Sequence, residues 1–142
     1  MISDKEPIIF LDDDTDDHFI FTEICKKLDL QNQLRFFKHG EDLLDYLRET
    51  ADKPFIIFCD INMPRMSGLT VRKKINEDPA LKEKSIPFVF FSTAASPEQI
   101  REAYGLTVQG FFLKEPTFVE TEETFRLILK YWQKCKHPNS SK

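Results

Sequence analysis

Five aspartates stand within six residues, Asp12, Asp13, Asp14, Asp16 and Asp17 around Thr15, immediately after the apolar run Ile8-Ile9-Phe10-Leu11. Carboxylates this close repel one another unless a cation or a proton intervenes. A charge run on its own is usually a solvated face. This one falls where a hydrophobic strand stops, and in α/β proteins ligands bind outside the carboxyl ends of the strands. The cluster is therefore a candidate site for a metal ion or for phosphate chemistry.

The elements that must position it are legible as two alternating periods. Short apolar runs at Ile8–Leu11, Leu34–Phe37, Phe55–Cys59, Phe88–Phe91 and Val108–Leu113 predict five strands. Between them, Phe21, Ile24, Cys25 and Leu28 recur with helical spacing, as do Phe125, Ile128, Leu129 and Trp132. Leu43, Leu44 and Leu47 mark a shorter helix, and Leu69 to Ile75 another. Ser96-Pro97-Glu98-Gln99 is a capping box with proline at the first helical position, and Gly105 is placed to close that helix. Five strands alternating with five helices predict a parallel sheet covered on both faces, which the near-continuous apolar strands match.

Composition permits one ordinary core. The chain has 142 residues, 41% hydrophobic and 31% charged, which fits a soluble globular protein and argues against disorder. No apolar run approaches the length of a bilayer span, and no signal-peptide pattern follows Met1. A net charge of −4 argues weakly against nucleic acid. Cys25, Cys59 and Cys135 are odd in number and lack metal-site spacing, so they read as reduced, mostly core thiols of a cytoplasmic protein. Met1 to Pro7 and Lys136 to Lys142 read as loose, leaving a core of about 6–135.

Because ligands gather at strand ends, the strand-ending residues carry the chemistry. The first strand ends at Asp12 and Asp13, the third at Asp60 before Ile61-Asn62-Met63-Pro64, the fourth at Ser92 and Thr93, and the fifth at Lys114. Together they would assemble a hard-cation site beside a lysine and a hydroxyl suited to phosphate.

With these residues in view, the sequence resembles the receiver domain of two-component response regulators, of the stand-alone, chemotaxis-regulator-like kind, over nearly its whole length. The resemblance rests on Ile8-Ile9-Phe10-Leu11-Asp12-Asp13-Asp14, Asp60-Ile61-Asn62-Met63-Pro64-Arg65-Met66-Ser67-Gly68, Phe91-Ser92-Thr93 and Gly110-Phe111-Phe112-Leu113-Lys114. It implies a doubly wound (βα)5, flavodoxin-like three-layer sandwich with strand order 2-1-3-4-5. It further implies that Asp60 is the phosphoacceptor. Asp13, Asp60 and the backbone carbonyl of Asn62 match direct Mg²⁺ ligands, with Mn²⁺ or Ca²⁺ as substitutes, and Asp12 matches an acid reaching the metal through water. Ser92 and Lys114 match the groups that grip the phosphoryl oxygens, and Phe111 the aromatic that rotates as Ser92 moves. Asn62 and Ala94 fall where acyl-phosphate lifetime is tuned. The implied donor is a sensor histidine kinase or a histidine phosphotransfer protein.

The resemblance also implies a switch rather than a turnover enzyme, with no output domain after the fifth helix. A downstream protein target would meet the fourth helix, fifth strand and fifth helix, with Glu98, Arg101, Glu102 and Tyr104 as candidate contacts, and a homodimer could use the same face. Neither nucleic acid nor membrane is expected as a partner. The sequence departs from the family pattern at Lys114-Glu115-Pro116, where the family has Lys-Pro, often with a cis peptide, and at Thr93, often a smaller residue. Two rival readings share some of these residues. Asp12, Asp14, Asp16 and Glu23 occupy calcium-loop positions within residues 12–23, but Asp17 stands where the turn glycine belongs. A haloacid-dehalogenase-like phosphatase would use Asp12 and Asp14, but it leaves Asp60 to Gly68 unexplained. His18, His39 and His137 are isolated and read as surface or helix histidines.

Overall fold

The computed structural model describes residues 6–139; the expectations for residues 1–5 and 140–142 lie outside the described residues. The strands are β1 (Ile8–Leu11), β2 (Leu34–Phe37), β3 (Ile56–Cys59), β4 (Phe88–Ser92) and β5 (Gly110–Leu113). The helices are α1 (Thr15–Lys27), α2 (Gly40–Glu49), α3 (Gly68–Asn76), α4 (Pro79–Lys84), α5 (Pro97–Gly105) and α6 (Phe118–Lys134). All strand pairs are parallel and the order is β2-β1-β3-β4-β5, as expected.

The core divides across the sheet because side chains alternate along each strand. Ile9, Leu11, Ile57, Cys59, Phe88 and Phe90 face α2, α3 and α5, where Leu43, Leu44, Leu47, Val71, Ile75 and Ala103 are buried. Ile8, Phe10, Ile56, Phe58, Val89 and Phe91 face α1 and α6, where Phe21, Ile24, Phe125, Ile128 and Leu129 are buried. Phe10 lies within 6.1 Å of Phe21, Phe36, Phe58 and Phe125, all near-parallel stacks. The helical spacings read from the sequence thus mark the faces that meet the sheet.

Several expectations need correction. A sixth helix, α4, follows α3, because Asp78 caps it by accepting from the amides of Ala80 and Leu81 and Pro79 occupies its first turn. The expected fourth and fifth helices are therefore α5 and α6. Strands β2 and β5 are only half-buried because they form the sheet edges, unlike β1, β3 and β4. Gly105 is the last helical residue of α5, and the left-handed residue that turns the chain out of the helix is Thr107, at φ 63°. The chain beyond α6 is held through Asn139. His137 Nε2 lies 2.6 Å from Phe55 O, and Asn139 Nδ2 donates to Pro54 O and Lys84 O, each at 2.9 Å. His137 is thus buried against the start of β3 rather than a surface or helix residue. Among the described residues the cis peptide is Ile86-Pro87, so Glu115-Pro116 is trans. No helix among the described residues is long and apolar enough to cross a membrane.

Candidate metal and phosphoryl-acceptor site

Backbone pairing brings the acids together. Leu11 pairs with Cys59 in the β1–β3 register, and the Asp60 amide donates to Leu11 O at 2.9 Å, so the chain leaves both strands side by side at Asp12 and Asp60. Carboxylate oxygens of Asp12, Asp13 and Asp60 lie within 4.8 Å of one another. Asp12 and Asp60 are buried and Asp13 is half-buried. Gly68, the first residue of α3, lets the β3–α3 loop fold back on Asp60. A Cβ at Gly68 would collide with the Asp60 carbonyl, while the Gly68 amide donates to Ile61 O at 2.9 Å.

The β4–β5 ladder supplies the other half of the site. The Lys114 amide donates to Ser92 O at 2.7 Å, so the hydroxyl and the ammonium arise from neighbouring strand ends. Lys114 Nζ lies 2.8 Å from Asp12 Oδ2, 2.6 Å from Asp17 Oδ2 and 3.5 Å from Asp60 Oδ2. Ser92 is buried and its Oγ donates to Ala94 O at 3.2 Å. Asn62 bridges to it from the β3–α3 loop: Nδ2 is 3.4 Å from Ser92 Oγ and 3.1 Å from Ala94 O, and its backbone amide donates to Asp60 Oδ1 at 3.4 Å. Phe111 is half-buried, its ring 5.8 Å from that of Phe90.

The electrostatics follow from burial. Burial pushes the Asp12 carboxyl up to about 7, despite the opposing hydrogen bond from Lys114. For Lys114, burial favours the neutral amine, but hydrogen bonds to Asp12 and Asp17 outweigh it and hold the ammonium charged above its ordinary range. The Cys59 thiol beside Asp60 is pushed well up by burial, which keeps it an inert core group, and burial takes Cys25 to about 12.

The donor set fits a hard divalent cation. Three clustered carboxylates share one nearby lysine, leaving negative charge that a doubly charged ion would offset, and every candidate donor is oxygen. Of the expected site residues, Asp12, Asp13, Asp60 and Lys114 converge directly, Ser92 and Asn62 stand beside them, and Phe111 lies on the adjoining strand. In the sequence Asp17 stands out only as a member of the acidic run and as the residue at the turn position of the calcium-loop reading. Its bond to Lys114 joins residues distant in sequence, which spacing does not reveal. The calcium-loop reading fails, because residues 15–27 form α1 directly after the strand end. Thr93 and Glu115, the two departures from the family pattern, are exposed.

Comparison with known proteins agrees with this arrangement. The sequence profile described as response regulator receiver domain matches residues 8–126. The probable methanogenesis regulatory protein FilR2 of Methanothrix harundinacea is 27% identical over 130 residues, which span 88% of this chain and 83% of that protein. Response regulator Rcp1 of Synechocystis is 23% identical over 130 residues, 88% of this chain and 87% of that one. A Mn²⁺-bound crystal form of response regulator Rcp1 matches the fold with a TM-score of 0.79 at 22% identity, over 91% of this chain and 95% of that chain. The crystal structure of response regulator RPA3017, in red light signalling of R. palustris, gives a TM-score of 0.81 at 26% identity, over 91% and 94% of the two chains. A match running from the first residue of β1 into α6 takes in every strand of the sheet, and on it this chain belongs to the response regulator receiver domain family.

Proposed function

We propose that Asp60 accepts a phosphoryl group in a Mg²⁺-dependent reaction, from a phosphohistidine of a sensor histidine kinase or a histidine phosphotransfer protein, and that this switches binding to a protein partner. The observation that carries the reading is the placement of Asp60 between two acids and a lysine, its carboxylate clustered with those of Asp12 and Asp13 and 3.5 Å from Lys114 Nζ.

The chemical obstacle is repulsion between an anionic carboxylate and an anionic phosphoryl donor. A divalent cation held by Asp13, Asp60 and the Asn62 carbonyl, with Asp12 behind a water, would offset that repulsion. The Mn²⁺ carried by the Rcp1 crystal form supports a divalent ion of this kind. One Asp60 carboxylate oxygen forms the new P–O bond as the P–N bond to the donor imidazole breaks, and the electron pair leaves with the imidazole. Lys114 brings a fixed positive charge to the incoming phosphoryl oxygens. The group stays on the chain as an acyl phosphate, so the domain is an acceptor and not a turnover enzyme.

The response follows from the added charge, roughly −1.5 to −2 for a phosphate ester. Ser92 already sits within reach of Asn62, and its hydroxyl would leave Ala94 O for a phosphoryl oxygen. Phe111 on β5, its ring 5.8 Å from that of Phe90, would turn inward as Ser92 moves. The surface of α5, β5 and α6 would change with it, where Glu98, Arg101, Glu102 and Tyr104 are exposed and a target or a second copy could bind.

Borohydride converts an aspartyl phosphate to homoserine, so peptide mapping after reduction locates the acceptor. Homoserine at position 60, absent when Mg²⁺ is withheld, is the expected result. Homoserine at position 12, with turnover of a phosphomonoester, would favour the dehalogenase-like phosphatase.

A further inference from the structure

Lys114 is bound by more acid than phosphoryl transfer requires. Its Nζ donates to Asp12 Oδ2 at 2.8 Å and Asp17 Oδ2 at 2.6 Å, and lies 3.5 Å from Asp60 Oδ2. Asp12 and Asp60 belong to the carboxylate cluster suited to a cation, and that explains their place beside the lysine. Asp17 stands outside that cluster. It sits in the first turn of α1, its amide donating to Asp14 O at 3.1 Å, and its carboxylate makes the shorter of the two bonds to the ammonium. The side chains of Lys114 and Asp17 are 14% and 20% exposed, so solvent screens this pair less than an ion pair on the open surface.

We propose that Asp17 is a positioning residue that competes with a phosphoryl group on Asp60 for the Lys114 ammonium, and so sets how firmly the phosphoryl state is held. The inference rests on Asp60 being the acceptor. An ammonium has three N–H donors. Two are committed here to Asp12 and Asp17, and the side facing Asp60 holds the long approach of 3.5 Å. A phosphoryl group on Asp60 presents new anionic oxygens; the third N–H can turn to one of them, but the ammonium draws closer or meets a second oxygen only by loosening its hold on an acid. A cation drawing on Asp12 would free one donor. Asp17, outside the cluster, keeps its hold, and its charge-assisted bond opposes the move toward Asp60.

The test is calorimetric titration of beryllium trifluoride, a phosphoryl mimic, in saturating Mg²⁺, on wild type, Asp17→Asn and Asp16→Asn. Asp16 lies in the same helical turn and is exposed, so its variant removes the same charge without touching the lysine. Asp17→Asn should bind the mimic about threefold to tenfold more tightly, the effect of relieving one partly shielded competing ion pair. Asp16→Asn should match wild type. Equal or weaker binding by a folded Asp17→Asn protein overturns the inference, as does equal tightening in Asp16→Asn, which would indicate a general field effect. A wild type that binds no mimic overturns the phosphoacceptor reading and this inference together. Binding by wild type leaves the Asp17 comparison to judge the inference alone.

Discussion

Burial holds the Asp12 carboxyl at about 7, so this acid is largely protonated in mildly acidic solution and ionised in mildly alkaline solution. A cation site needs the ionised form, and Mg²⁺ affinity should therefore rise with pH through about 7, by up to about tenfold per pH unit below the transition. The effect on stability has the opposite sign. A carboxyl raised above its unfolded value contributes stability at low pH that is lost as pH rises through the folded value, so the metal-free protein loses this contribution toward about pH 7. The gain in melting temperature on adding Mg²⁺ should accordingly grow with pH across that window. A metal affinity that stays flat from about pH 6 to about pH 8 would contradict this account of Asp12. At this scale the acids were readable from the sequence, because an aspartate ending an apolar run is conspicuous. The partners of Lys114 were not. Asp17 looks like its exposed neighbours Asp14 and Asp16, and only the approach of α1 to the end of β5 distinguishes it.

Among the elements, α3 carries a charge into the core. Arg72 is fully buried, and its guanidinium donates from Nε to Leu106 O at 3.2 Å, from Nη1 to Ser85 O at 3.2 Å and from Nη2 to Thr107 O at 3.1 Å, while stacking 4.9 Å from the Phe88 ring. Burial pushes it down to about 10, which still leaves it charged near neutrality. It ties α3 to the end of α4 and to the left-handed turn at Thr107 that leads into β5. Arg72→Ala would leave a cavity and take the guanidinium from Ser85 O, while Leu106 O and Thr107 O keep the side-chain amides of Asn76 and Gln109, and should cost about 3–5 kcal/mol in urea unfolding. A loss below about 1 kcal/mol would show that water replaces the guanidinium freely. The helix itself was legible from Leu69 to Ile75, but that spacing does not single out Arg72 from its charged neighbours Lys73 and Lys74, and burying an arginine normally calls for a carboxylate. Here backbone carbonyls serve instead. Helix α4 had a readable signal in Asp78-Pro79 and was missed because its single buried residue, Leu81, shows no periodicity.

At the scale of the whole molecule, the segment after α6 packs where β3 begins, at the end of the sheet away from the acidic strand ends. His137 bonds to Phe55 O and stacks on the Phe55 ring at 5.3 Å, and Asn139 joins Pro54 to Lys84. Burial lowers the His137 pKa below its ordinary 6.5. A histidine held in the less protonated form contributes stability that is present above about 6.5 and lost as pH falls through the folded value. His137→Ala should therefore destabilise the fold by about 1–2 kcal/mol near neutrality, with the gap from wild type narrowing in acid. A gap that widens in acid would contradict the sign. The sheet order and the two-faced core were open to sequence reasoning because periodicity encodes which residues point inward. This clasp was not, since two polar residues after a helix, His137 and Asn139, carry no period and their partners lie outside that segment.

The central claim is that Asp60 takes up a phosphoryl group in a cation-dependent reaction. Intact mass after incubation with Mg²⁺ and acetyl phosphate tests it most directly, on wild type and Asp60→Asn. One added phosphoryl group on wild type, lost without Mg²⁺ and absent from the variant, is the predicted result. The same adduct on Asp60→Asn, or none on folded wild type that also fails to bind beryllium trifluoride, would contradict it.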